Sequence, residues 1–257
     1  MRGGGRAPGR DPRQRDPCQT DPCPVILSND HKFIFVHIPK TAGLSVTDAF
    51  GAYGRPRGRT IWRSISRRLP FVESPEAAHF RVHEPASHMI RKLSRPVWDG
   101  FLSFSVVRDP FDHAVSHYEY MKQFRIAKVA AKVGQMSFEE YLAYRMKPPF
   151  WNDTIFARMP DQAYYLTDAE GALAVTRLIR FERLGEELAA LAAELELPDF
   201  RLRHVNRTKA PKKPYREYYD ATTEEMVRQI YARDFSLLGY APELGGRPEP
   251  VGRDVSG

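Results

Sequence analysis

Cysteine is almost absent from this chain: Cys18 and Cys23 are the only two in 257 residues, and both fall within the first 24. A disulfide framework is thereby excluded as the basis of the fold, and a single C-x4-C without a second pair makes a poor zinc site. Long apolar runs are missing too. No stretch approaches the ~18 continuous apolar residues of a membrane span. The opening "MRGGGRAPGRDPRQRDPCQTDPCP" has no apolar core of a secretory signal. These absences point to a cytoplasmic protein.

Large apolar side chains are scarce in residues 1–24 and again from about Gly245 onward, so nothing there offsets the entropy of ordering the chain. The expected organisation is a disordered tail over 1–24, a single domain over 25–244 and a flexible C-terminal tail over 245–257. One domain suits the length, since α/β domains commonly reach about 200–250 residues. A hydrophobic fraction of 42% with 12% aromatics supplies a substantial core, and 28% charged residues suit a wet surface.

Acid is in deficit. Against 32 Asp plus Glu stand 39 Lys plus Arg, a net charge of +7 that favours anionic partners such as nucleotides, anionic saccharides or nucleic acid. Two stretches carry no acid at all: residues 55–70, with six arginines, and 201–216, with seven cations. A charge run such as the first usually just keeps a face solvated.

What is present is an alternation of strand and helix signals. "HKFIFVHI" (31–38) is a short β-branched and aromatic run, bounded by Asn29-Asp30 and Pro39, that fits a buried strand. "LSVTDAFGAYG" reads as a helix with Val46, Ala49 and Phe50 on one face, ended by Gly51 and Gly54. Residues 101–107 form a second strand broken at Asp109-Pro110, and 111–124 a helix burying Phe111, Val115, Tyr118 and Met121. Ser137 and Glu140 spell a capping box. A third strand is expected at 174–181, then a helix stopping at Pro198, and a final helix over 222–240 capped by Thr222 and Glu225. The pattern predicts an α/β, P-loop-like three-layer fold with a central parallel sheet flanked by helices.

Within it, "HIPKTAGLS" (37–45) leaves the first strand and enters the first helix, where α/β folds bind ligands. The amides of the first helical turn suit an anion. Lys40 adds a mobile charge, and Thr41 and Ser45 add hydroxyls. The glycines of G-x4-G-K-[ST] are lacking. No aspartate ends the second strand to hold magnesium; it runs into Arg108. The loop is suited to a smaller anionic group without a metal. A plain turn with a solvated lysine is the bland alternative.

"FVHIPKTAGLS" followed by "FSVVRDPFDHAVSHY" resembles the paired signature of sulfotransferases that use 3′-phosphoadenosine 5′-phosphosulfate, most of all the carbohydrate branch that includes heparan sulfate 2-O-sulfotransferase. "VHEPASHM", "RLIRFERLGEEL", "HVNRTK" and "YARDFSLLGY" extend the similarity over residues 31–240. The resemblance implies that Lys40, Thr41, Ala42, Gly43, Leu44 and Ser45 line the 5′-phosphosulfate. Lys40 would sit at the bridging oxygen, and Gly43 would let the backbone approach closely. Arg108 and Ser116 would bind the 3′-phosphate. On the residues alone, Arg108 pairing with Asp109 or another acid and Ser116 as an ordinary helix serine stay open. One position departs from the pattern: members often carry arginine where His113 stands.

The acceptor hydroxyl needs a base. His83 in "VHEPASHM" matches the family's base histidine, with His79 and His88 as neighbours and a buried structural histidine as the alternative. Glu84 would either orient His83 or face solvent. Asn206, Arg207 and Lys209 fall where the family has a segment closing over the nucleotide, while Tyr215 and Tyr218 read as core residues of the following helix. The implied reaction is in-line transfer of a sulfuryl group to a hydroxyl of a saccharide or sugar-bearing metabolite, with no metal required. Two other readings stand beside it: a P-loop nucleotide kinase-like phosphotransferase, opposed by the absent magnesium ligands, and a basic nucleic-acid-binding protein, opposed by the absence of aromatic stacking signatures. The acceptor-facing loops, 55–90 and 125–165, hold no code for a particular sugar.

Overall fold

Alternation in the first strand segment decides the layers. A computed structural model describes residues 25–54, 71–147, 159–202 and 213–246. In it Phe33 and Phe35 point to one face of the sheet and Ile34 and Val36 to the other, all four fully buried. Each such side chain contributes roughly 1.5–3 kcal/mol. The sheet has four strands in the order β1 (Ile26–Ser28), β2 (Phe33–Phe35), β3 (Leu102–Val107) and β4 (Arg177–Arg180). β2, β3 and β4 are parallel, with Phe35 opposite Phe104 and Val107 opposite Arg180. β1 runs antiparallel at the edge and had no counterpart in the sequence reading.

On one face lie α1 (Gly43–Phe50) and α8 (Leu184–Glu194), burying Val46, Ala49, Phe50, Leu188 and Leu191 against the phenylalanines. On the other lie α2 (Ala86–Leu93), α3 (Arg95–Asp99), α7 (Ala163–Leu166) and α10 (Ala232–Leu238), packed through Met89, Leu93, Trp98, Leu166 and Leu238. The expected three-layer α/β architecture is thus observed. Ser105, buried on β3, donates to Val36 O at 2.7 Å, so its hydroxyl costs nothing unpaired.

A third cluster is purely helical: α4 (Pro110–Met121), α5 (Ala127–Gly134), α6 (Phe138–Met146) and α9 (Ala221–Ile230). α4 buries Phe111, Val115, Tyr118 and Met121 as its spacing predicts. Asp109 caps it by accepting from Phe111 N–H at 2.8 Å, and Pro110 fills the first helical position. The Ser137–Glu140 capping box of α6 forms as expected.

Three expectations need correction. The last helix is capped by Asp220 and Thr223, whose side chains satisfy each other's amides at 2.8 Å, and not by Thr222 and Glu225. It is also broken at Tyr231 (φ −112°, ψ 24°), whose buried ring turns into the helical cluster. Tyr215 and Tyr218 occupy a separate 3-10 turn, half-buried, with hydroxyls donating to Asp109 and Glu119. The anticipated tail over 1–24, most of that over 245–257 and the arginine-rich 55–70 lie outside the described residues. Among the described residues no helix is long and apolar enough to cross a membrane.

Candidate functional site

The β2–α1 loop bends where a polypeptide resists bending. Lys40 (φ 67°) and Ala42 (φ 61°) are both left-handed, a conformation costing about 1–2 kcal/mol for each non-glycine residue. Three consecutive carbonyls of the loop are each held by a side chain. Ile38 O accepts from Thr41 Oγ1 at 3.0 Å, Pro39 O pairs with His113 Nε2 at 2.9 Å, and Lys40 O accepts from Arg108 Nη1 at 3.2 Å. With the carbonyls engaged by protein, the loop's amide dipoles are fixed. α1 begins at Gly43, and Val46 N–H donates to Ala42 O at 3.2 Å, so the amides of Gly43 and Leu44 belong to the first helical turn. A strained loop leading into a helix start is an arrangement that suits an anion, here without the glycines of a Walker loop.

Gly43 is also set by a neighbour within the protein. A Cβ there would overlap the His37 imidazole, so the missing side chain serves the packing of His37. That buried ring lies between Phe35, 5.6 Å away, and His83, whose ring centroid is 4.4 Å away. His83 Nδ1 is 3.0 Å from His37 O. A carbonyl only accepts, so Nδ1 carries the proton and Nε2 keeps a lone pair. Burial lowers the His83 pKa from its ordinary 6.5, only partly offset by the bond to His37. At neutral pH the imidazole is therefore a neutral base, fixed to the loop that carries Lys40.

The neighbouring histidines are engaged elsewhere. His88 Nδ1 lies 3.1 Å from Glu84 Oε1, and Glu84 also accepts from Arg81 N–H at 2.8 Å. Glu84 thus neither orients His83 nor faces solvent: it is 5% exposed. His79 Nδ1 contacts Ala77 O, and its own carbonyl accepts from Lys92 at 2.9 Å.

Arg108 lies at the C-terminal end of β3. Its guanidinium stacks on Phe181, 4.1 Å from the ring centroid, and Nε donates to Asp112 Oδ2 at 2.7 Å. The acid it pairs with is thus Asp112, one turn into α4, and not Asp109. Its backbone is clamped at both polar atoms by Gln162, whose Oε1 accepts from Arg108 N at 2.9 Å and whose Nε2 donates to Arg108 O at 2.8 Å. Asp234 in turn accepts from Gln162 N and Nε2 and from Ala163 N. Ser116, buried, stands one turn beyond Asp112, and Tyr120 one turn beyond Ser116. The Lys40 ammonium rests 4.2 Å from the centre of the Tyr120 ring. Asp112, Ser116 and Tyr120 thus form one stripe of α4, reached by the loop at both ends through Arg108 and Lys40.

Thr41 is fully buried, while Leu44 is partly exposed. Asn206, Arg207 and Lys209 lie outside the described residues. Sequence reasoning missed His37, Gln162, Asp234, Tyr231 and Arg145. Among these His37 left a local trace by flanking the loop, and Tyr231 and Asp234 by falling inside "YARDFSLLGY". Among the described residues, no three or more His, Cys, Asp or Glu are grouped so as to hold a metal ion.

No curated protein and no solved structure matches the chain. One family model does, and residues 24–241 match it: the sulfotransferase family. Those residues begin just ahead of β1 and end just past α10, so every strand and helix described above falls inside the match. The chain belongs to the sulfotransferase family, and its activity is sulfuryl transfer to a hydroxyl-bearing acceptor.

Proposed function

We propose that the sulfuryl donor is 3′-phosphoadenosine 5′-phosphosulfate and that the acceptor is a hydroxyl of a saccharide or sugar-bearing metabolite, in the manner of the carbohydrate branch that includes heparan sulfate 2-O-sulfotransferase. The observation that carries the donor reading is the held triplet of carbonyls at Ile38, Pro39 and Lys40, which prepares the loop for an anion. The saccharide reading rests on the similarity of "VHEPASHM" and its companion segments to that branch.

The acceptor oxygen attacks sulfur in line with the bond to the 5′-phosphate. That S–O bond breaks, the leaving 3′-phosphoadenosine 5′-phosphate keeps the electron pair, and the hydroxyl proton passes to His83 Nε2. Lys40 neutralises charge gathering on the bridging oxygen, with Thr41, Ala42, Gly43, Leu44 and Ser45 around the phosphosulfate. Such transfers depend on positioning and charge neutralisation more than on covalent chemistry. Arg108 and Ser116 take the 3′-phosphate. Arg108 serves best by exchanging Asp112 for phosphate oxygens while keeping its stack on Phe181. Asn206, Arg207 and Lys209 complete the nucleotide site, and residues 25–244 form the catalytic unit.

The test is acceptor-dependent formation of 3′-phosphoadenosine 5′-phosphate from the phosphosulfate, across a panel of saccharides and simple phenols or alcohols. Stimulation by saccharides alone supports the proposal. Stimulation by non-sugar hydroxyls alone would contradict its carbohydrate part.

A further inference from the structure

A line of buried polar side chains runs from the helical cluster to the β2–α1 loop, and none of them belongs to the set assigned above. His113 on α4 has no exposed surface. Its Nε2 is 2.9 Å from Pro39 O and its Nδ1 3.1 Å from the Tyr231 hydroxyl. Arg145 Nη1 donates to that same hydroxyl oxygen at 2.8 Å, and Nη2 donates to Met159 O at 2.9 Å.

The two ends fix the direction of every bond between them. A guanidinium only donates and a carbonyl only accepts. Arg145 therefore occupies the Tyr231 oxygen as acceptor, the Tyr231 proton turns to His113 Nδ1, and the His113 proton resides on Nε2, aimed at Pro39 O. We propose that Arg145, Tyr231 and His113 act as positioning residues: their one-way hydrogen-bond chain pins Pro39 O, holds Lys40 in its left-handed conformation and so sets the affinity of the loop for the anionic donor. The affinity part of this inference rests on the donor proposed above.

Neutrality of His113 keeps the chain intact. Burial, reinforced by the charges of Arg108, Arg145 and Lys40 against one backbone bond, pushes its pKa down to about 3, so the ring does not pick up a second proton in the working range. The break between α9 and α10 also gains a role, because it sets the buried Tyr231 ring edge-on to His113, with centroids 5.7 Å apart. Where the family often carries arginine, this chain has a neutral donor backed by a buried arginine on another helix.

Two measurements test the chain. Nitrogen-15 spectra of histidine-labelled protein, recorded without ligand, should show His113 as the Nε2–H tautomer in the wild type. The Nδ1–H tautomer would overturn the relay whatever the donor is. Calorimetric titration with 3′-phosphoadenosine 5′-phosphate should then separate two substitutions. His113→Gln keeps an amide donor near the Nε2 position and should bind within about threefold of wild type, whereas the shorter His113→Asn should lose about tenfold, the worth of one hydrogen bond. Tyr231→Phe, which retains the packing, should weaken binding by a similar factor. Equal binding by all three variants, or equal loss in the Gln and Asn variants, would overturn the positioning role. If the wild type itself does not bind the nucleotide, the donor assignment and the affinity role fall together, and the spectra alone decide whether the one-way chain exists.

Discussion

His83 hangs from the loop it is proposed to serve: its Nδ1 donates to the carbonyl of His37 at 3.0 Å, three residues before Lys40. That bond leaves Nε2 unprotonated, and burial keeps it so by lowering the pKa below 6.5. His83→Asn, whose amide can still reach His37 O, should bind 3′-phosphoadenosine 5′-phosphate normally and lose roughly 10²–10⁴-fold in turnover. Lost nucleotide affinity instead would recast His83 as a binding residue.

The same pairing fixes a pH profile. Only the neutral imidazole accepts a proton, and its folded pKa is depressed, so kcat/KM should rise with pH through a midpoint below 6.5 and stay level above it. A rise centred above 7 would contradict His83 as the group that titrates. His83→Asn should remove the limb altogether.

Lys40→Ala should leave the fold intact and cost roughly 10²–10³-fold in turnover, the size expected when one charge-stabilising donor is removed. Near-normal turnover, measured beside an unchanged melting temperature, would sink the role given to Lys40.

Gly43→Ala should be costly for a reason unrelated to backbone freedom. The added methyl meets the His37 imidazole, which is wedged between Phe35 and His83. Overpacking of this kind costs about 1–3 kcal/mol, read as a lower denaturant midpoint together with reduced turnover. A variant as stable and active as wild type would show that the His37–His83 pair shifts freely.

Asp109 offers a stability test outside the reacting groups. Burial, with the nearby Glu182 adding to it, raises its carboxyl to about 6 despite the amide bonds it accepts. A folded pKa above the ordinary 3.8 means that the carboxyl favours folding fully only below 3.8, and that this contribution is lost as pH rises through about 6. Asp109→Asn keeps the cap without the charge. Its stability should therefore exceed that of wild type by a margin that grows from pH 5 to pH 7.5 to on the order of 1 kcal/mol after screening at this partly exposed site, read as a rising difference in melting temperature. A margin that shrinks over that range would contradict the raised pKa.

Local patterns carried the legible part of this protein. The strand–loop–helix units around Lys40 and Arg108, the faces of α1 and α4 and the Ser137–Glu140 cap depend on neighbours a few residues apart, and all can be read from the chain. The three-residue β1 was not, because so short an edge strand has no period to detect. The break at Tyr231 hid inside a continuous helical pattern, and the partner its buried ring meets there, His113, lies 118 positions away. Gln162 and Asp234 looked like ordinary polar residues, although Gln162 clamps the backbone of Arg108 from 54 positions away and Asp234, 72 positions further on, holds Gln162.

Calorimetric titration of the wild type with 3′-phosphoadenosine 5′-phosphate in excess chelator, with ATP as the comparison, bears most directly on the proposed donor. Tight binding that persists without metal and requires the 3′-phosphate is the expected result. Absence of binding, or ATP bound equally well, would contradict the assignment of Lys40, Arg108 and Ser116 to this nucleotide.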